Sequence, residues 1–532
     1  MLDVYLNKHL IGQLSCGRSG WVFRYDPRWQ TASHGFDLVP TLQRTAGDIA
    51  DTTKAQPVRN FFEYLLPEPA REAPKAASAA LDHLAEHAPN LDGPLTLVPS
   101  GHKPINGHVD GLTERDLVLQ FKQSVGRTGP AMPLRVAEPV ARYGTSPEDE
   151  AIRLPFLSSN GLPVSMWLGR FAAPANAAQS SHFVRLDLGE DARLPYATIN
   201  HCWATLLARS IGLETPFLGL RQFPETAAVV QRLDRTLRCK SDDTALIQAR
   251  YVISAVQLLG LSPKYRFLPI TVEQVAQCAR QCADATSTTA SLFRWMVFCL
   301  LIGGRNASAG TLHFHVGPDG IRLAAHDHLF CAAVYANEWD ADALSSLDGE
   351  RAPDAQARYD AIDQDALLAL ADHLGYDAAQ ARREVLRLIS MLAPQSSFVA
   401  THLSQALGHS PTRAAEIDFL ARIHRHVSET ARRLGGNSER SRRRPAYPSP
   451  RLRRGRMPAP ASPGRLRRRQ RPGRPRRLPA ATRRCVRAHP ALPRARRGSL
   501  FPRAGHRETK AEDTTSESFR AAIPKSGTPS PV

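Results

Sequence analysis

The 532-residue chain carries 69 Lys and Arg against 50 Asp and Glu, a formal net charge of +19, and 42% of it is hydrophobic. That length suits three or four domain-sized units. The longest unbroken apolar run, Trp295 to Gly304, is ten residues, which excludes a membrane-spanning helix.

In chain order, Val4 to Leu14 alternates as a strand, turns and resumes, and Trp21 to Trp29 follows as a further strand. Phe61 to Arg71 has the pattern of an amphipathic helix stopped by Pro67. Thr113-Glu114-Arg115-Asp116 reads as a capped helix start. Thr198 to Gly212 places Ile199, Trp203, Leu206 and Leu207 at helical spacing, with a glycine where a C-cap belongs. A helix is expected over Ala245 to Gly260, and Ala421 to Val427 reads as the closing helix of the body. Neither short-period repeats nor Lys/Glu-rich heptads occur.

The chemistry concentrates in Leu301 to Phe330. Phosphoryl transfer uses an Asp to accept the proton of the attacking hydroxyl, an Asn about five residues on to hold one magnesium, and a later Asp to hold the other. Here that order is Asn306, Thr311 and Asp327. An amide is nearly isosteric with a carboxylate, yet it takes no proton near neutral pH, so Asn306 orients a hydroxyl without serving as base. Thr311 offers one neutral oxygen on a short arm.

This stretch resembles that of the HipA family of bacterial serine/threonine-kinase toxins, G-N-x-D-A-H-x-K-N-F, then a strand-turn-strand, then Y-D-L. Aligned on Leu301-Ile302-Gly303, the resemblance puts Asn306 at the catalytic Asp position and Thr311 at the metal-binding Asn position; Asp327 is kept. Phe23, Tyr25 and Trp29 resemble the family's F-x-Y-x-x-x-W signature, and Phe61 to Arg71 its FFxxLLPE-x-x-R helix. Thr198 to Gly212 resembles the family helix that begins Asn-Glu, with Asn200 kept and His201 in place of Glu. Val229 to Arg235 is similar to the V-x-R-F-D-R strand along the nucleotide pocket, which implies cofactor-side roles for Arg232 and Asp234. Ala245 to Tyr265 is similar to the F-C-Q-x-L-G-L-x-P-x-x-K-Y segment.

The nucleotide positions have drifted. Arg153 to Asn160 stands where the family has its phosphate loop, without that loop's glycine, glutamine and lysine. Arg185 aligns with the phosphate-neutralising lysine, and a planar guanidinium does not fill the space of a compact ammonium. The resemblance implies ATP and Mg2+ as cofactors, a helix-turn-helix antitoxin as partner, and DNA reached through that partner.

Charge is unevenly placed: residues 436–532 hold 27 Lys or Arg against 5 Asp or Glu, a net of +22, which leaves −3 on the rest. Residues 441–498 contain no Lys, Asp, Glu or Ile, and such a composition is expected to be disordered. Two readings stay open for this tail. One is an arginine-rich arm for nucleic acid; the other is a GC-rich gene read in a shifted frame, which the lysine-free composition favours. His313 and His315, and His326 and His328, form two i, i+2 pairs that a hairpin could gather around a metal; solvent-facing side chains are the alternative. Eight cysteines without a CxxC pair, behind a start with no signal-peptide character, point to a reduced cytoplasm.

The expected fold is α+β: a strand-rich subdomain over residues 1–105, a kinase-like N-lobe over 113–234, a helical C-lobe over 235–435 and the basic tail over 436–532. The expected function is that of a kinase-toxin homologue with substituted catalytic positions, a pseudokinase or inactive copy. The alternatives are an active ATP-dependent kinase toxin and a decayed, frameshifted product.

Overall fold

The computed structural model describes residues 1–441 apart from 46, 68–72, 105–109, 114, 116–161, 168–169, 174–179, 187–194, 223–225, 242–243, 269, 305–306, 336–361 and 409–412. The Thr113–Asp116 helix start, the 153–160 loop and the basic tail therefore fall wholly or mostly outside the described residues.

Alternating apolar residues make β1 (Leu2–Leu6), β2 (His9–Cys16) and β3 (Trp21–Tyr25) an antiparallel meander. Asn7 turns the first hairpin with φ of 56°, a left-handed conformation that Asn tolerates. With β4 (Ile49–Ala50) and β5 (Leu95–Pro99) the sheet order is β4-β3-β2-β1-β5. Phe23, Tyr25 and Trp29, the last on the short helix α1 (Pro27–Thr31), are buried core residues. The Tyr25 hydroxyl accepts from Leu38 N at 2.8 Å and donates to Leu42 O, so its polar end is satisfied.

Helix α2 (Pro57–Glu63) has no capping side chain at Gln56; buried Asp51 accepts instead from Val58 N (2.9 Å) and Arg59 N (3.2 Å). Helix α3 (Ala77–Glu86) covers the sheet through Ala80, Leu81 and Leu84.

The second sheet holds β6 (Asp110–Leu112), β7 (Leu162–Trp167), β8 (Arg170–Ala173), β9 (His182–Leu186), β10 (Leu218–Gln222) and β11 (Thr226–Gln231). Its order is β10-β11-β9-β7-β8-β6, with antiparallel neighbours throughout. Helix α4 (Ala197–Ser210) packs on β10 and β11 and ends where Gly212, at φ of 92°, lets Leu213 N reach Ala208 O.

The helix expected over Ala245–Gly260 does not form. Ala245 to Ala249 lie in strand β13 (Thr244–Ala249), paired with β12 (Arg235–Ser241), and β14 (Val252–Ser254) pairs with β15 (His313–Gly317). Only α5 (Ala255–Leu258) is helical. The reason is local: Ser254 and Gln257 form a capping box, which starts the helix there, while strand partners satisfy the backbone before it. Asn7 reinforces this, since its amide bonds Ala249 N (2.7 Å) and Ala249 O (3.0 Å).

Beyond lie α6 (Val272–Gln281), opened by a Thr271/Gln274 capping box, and α7 (Ala285–Leu301), whose Leu292, Phe293, Val297 and Phe298 are buried. The hairpin of β15 and β16 (Gly320–Leu323) follows. Helices α8 (Gln364–Leu374), α9 (Ala378–Leu407) and α10 (Ala414–Ser441) close this part, with α9 packed along α10 and α4. Among the described residues no helix is long and apolar enough to cross a membrane.

Candidate functional site

Residues 301–330 run from the end of α7 through a loop, the hairpin and a second loop. The two loops are tied together: Ala332 N and Ala333 N both donate to Gly303 O, at 3.0 and 3.1 Å. Asn200 on α4 adds a two-point clamp, its Nδ2 donating to Cys331 O and its Oδ1 accepting from Cys331 N, each at 2.8 Å. Gly310 presses against Arg266, and a Cβ there would meet Arg266 O at 2.4 Å, so that position needs glycine. Arg305 and Asn306 lie outside the described residues. Thr311 is described, and its hydroxyl is turned onto its own turn, donating to Ser308 O at 3.0 Å and accepting from Ser308 N at 3.3 Å.

Asp327 is buried among nitrogens. Arg185 Nη2 stands 3.9 Å from its carboxylate, His201 Nε2 3.7 Å and His328 Nε2 3.6 Å, and His328 N donates to Oδ1 at 2.7 Å. Burial opposes ionisation of Asp327, but the His328 backbone N–H on its oxygen and the Arg185 guanidinium beside it hold the carboxyl below the usual carboxylate range. Arg185 Nη1 donates to His201 Nε2 at 2.9 Å, which makes that nitrogen an acceptor and leaves Nδ1–H for Leu329 O at 3.2 Å. His201 is thus neutral, in keeping with burial, aided by Arg185, pushing it down to about 4. The charge partner of Asp327 is therefore Arg185, not His201.

A second buried ionic group stands beside it. Arg232 binds Asp234 in a fork, Nε to Oδ1 at 2.9 Å and Nη2 to Oδ2 at 2.8 Å, and Arg235 Nη1 reaches Oδ2 at 2.6 Å. Burial raises Asp234, and the two guanidiniums overcome it to hold the carboxyl well below its ordinary value. Arg232 lies over the Phe183 ring at 4.9 Å and donates to Ser180 Oγ at 2.5 Å. Arg235 Nη2 also holds Gly93 O at 3.0 Å.

Asp327, His328, His313, Arg232 and Asp234 line one cleft of about 90 Å³, together with Asp92, Gly93, Arg266 and Gln257. Thr311 is not among the side chains lining it. Arg266 and Asp92, an ion pair at 3.5 Å, and Arg235 were not singled out by sequence reasoning. Arg235 had a signal, since it follows Asp234 directly; Arg266 had none, because its partner is distant in sequence.

The four imidazoles do not converge. His326 stacks on Trp295 with ring centroids 5.6 Å apart and 3° between planes, away from His328, because the segment 324–331 is not a strand and does not alternate. Magnesium takes near-octahedral oxygen ligands, and the described neighbours of Asp327 offer nitrogens. The described residues do not fit a magnesium pair.

The antiparallel sheets and the helical lobe that follows them make a fold of the α+β class, with buried carboxylates along one cleft. The HipA N-terminal domain model matches residues 2–88 and the HipA-like C-terminal domain model residues 156–395. The chain belongs to the HipA family. It is similar to HipA of Shewanella oneidensis MR-1, solved as a toxin–antitoxin complex of HipA, HipB and operator DNA, with 19% identity, a TM-score of 0.62, and coverage of 84% of this chain and 100% of that one. The Helicobacter pylori proinflammatory kinase CtkA matches at 11% identity and a TM-score of 0.31 over 57% of this chain and 94% of that one. No curated protein matches.

Proposed function

We propose that this chain is a HipA-type protein whose kinase cleft has lost phosphoryl transfer, a pseudokinase that acts by binding. The observation that carries the reading is the wall around Asp327. The one retained metal-binding carboxylate is buried against Arg185, His201 and His328, a set of nitrogen donors that suits a proton or a guanidinium better than a hard cation. Further support comes from Thr311, whose oxygen is engaged with Ser308, and from a cleft of about 90 Å³, against about 300–1,000 Å³ for sites that bury a small-molecule ligand. Asn306 supplies no base.

The binding role is assigned to a helix-turn-helix antitoxin in the cytoplasm, the kind of assembly named for the Shewanella protein, with DNA reached through that partner or through the arginine-rich tail. The test is full-length protein incubated with magnesium and labelled ATP, beside calorimetric titration of the nucleotide. The expected result is no phosphate transfer above a mock preparation and no micromolar affinity. Robust transfer would establish the active-kinase reading instead.

A further inference from the structure

Outside the cleft, α3 ends in the sequence His83-Leu84-Ala85-Glu86-His87, and its three polar side chains converge. His83, Glu86 and His87 each present one ligand atom, and the three atoms lie within 4.8 Å of one another. The two imidazoles share a helix face at i and i+4, with ring centroids 4.5 Å apart and 52° between planes. We propose that this cluster is a binding site for a borderline transition-metal ion, with Zn2+ as the representative.

Three features beyond residue type support it. The His87 Nδ1–H donates to His83 O at 2.9 Å, so Nε2 carries the lone pair and the ring is held in the ligating tautomer by a backbone carbonyl. The cluster sits at the C-terminal end of α3, where the helix dipole favours a cation and the Glu86 carboxylate adds charge. Ligands of a tetrahedral zinc at about 2.0–2.1 Å lie about 3.3 Å apart, so closing the observed triangle takes side-chain rotation rather than backbone movement. Imidazole nitrogens select zinc, nickel, cobalt or copper over magnesium or calcium. Glu86 is exposed, which leaves the fourth position to water.

The site also has a structural address. After His87 the chain passes through Ala88–Asn90 to Asp92 and Gly93, where Asp92 N donates to Leu65 O at 2.7 Å and both residues line the cleft. An ion here would brace the helix end from which that segment departs.

The experiment titrates the metal-free full chain with Zn2+ by calorimetry at pH 7.5 and with Co2+ by visible absorption. The expected result is one saturable equivalent, with cobalt bands typical of mixed nitrogen and oxygen ligation. Affinity falls at least tenfold in His83→Ala and His87→Ala. Glu86→Gln, an exposed change that leaves the fold intact, weakens binding and alters the cobalt bands. Undiminished affinity in all three variants, or no saturable site at up to millimolar metal, would overturn the proposal. If the histidine variants unfold in chelator, the Glu86→Gln spectrum decides the outcome.

Discussion

Acid should destabilise this protein through its buried imidazoles before most of its carboxylates titrate. An imidazole free in solution titrates near 6.5. Burial pushes His182 and His315 down to about 4, and burial with Arg185 does the same to His201. The folded form thus keeps these rings neutral to about pH 4, while the unfolded chain binds protons from about 6.5 downward. Their stabilising contribution is complete above 6.5 and is lost as pH falls through the window from 6.5 to about 4. At pH 5 the unfolded imidazole is about 1.5 units below its own pKa, which favours unfolding by about 2 kcal/mol per ring. Three rings give about 6 kcal/mol, against a total of about 5–15 kcal/mol for a typical domain. His313, His326 and His328 are shifted in the same direction and add to the effect. The assay is urea unfolding of the full chain at pH 7.5 and pH 5, with His201→Gln alongside. The variant should recover about 2 kcal/mol of the difference between the two pH values, whatever its baseline cost. Equal stability of the wild-type chain at both values would refute the reasoning.

Asn306→Asp alone should leave phosphate transfer at background in a labelled-ATP assay, because Thr311 and the surroundings of Asp327 are unchanged; restored transfer would show those groups to be competent. Asp234→Ala should destabilise the fold by about 3–5 kcal/mol in urea melts, since it leaves Arg232 and Arg235 buried without their shared carboxylate. Deleting residues 436–532 removes a net +22 and should abolish retention on a DNA column at low salt, and retention that persists would place the nucleic-acid surface on the body.

The elements legible in the sequence were those whose signals are local. The β1–β2 hairpin announces itself by alternation, and α4 by Trp203 and Leu207 at helical spacing with Gly212 at its end. Ala245 to Gly260 misled because Ala, Leu, Gln and Val suit either state, and the strands are fixed by partners elsewhere in the chain, Arg235–Ser241 and His313–His315. Within the site, Arg232, Asp234 and Asp327 line one cleft, although Asp327 lies nearly a hundred residues from the other two in the chain and only the resemblance connected them. The role of His201 was not readable, because it depends on a contact with Arg185 on β9 and on Leu329 from beyond the hairpin. Thr311 offered an oxygen in the sequence, and only the turn at Ser308 shows where that oxygen is engaged.

On the proposed reading, charge balance sets what a single substitution in the cleft can do. Four guanidiniums, from Arg185, Arg232, Arg235 and Arg266, face three carboxylates, from Asp327, Asp234 and Asp92, so the ionic groups nearly neutralise one another. A magnesium-bound triphosphate brings several negative charges together with its own cations, and it has to displace pairs that are already closed. A glutamate at position 201 would put a second carboxylate about where His201 Nε2 now stands, 3.7 Å from Asp327. Two carboxylates that close repel unless a cation lies between them. In this structure the Arg185 guanidinium stands at that place, 3.9 Å from Asp327, and His201 Nε2 holds it there by accepting from Nη1 at 2.9 Å. Arg185 and His201 thus work as a pair, and removing the guanidinium takes from Asp327 the cation that stands beside it.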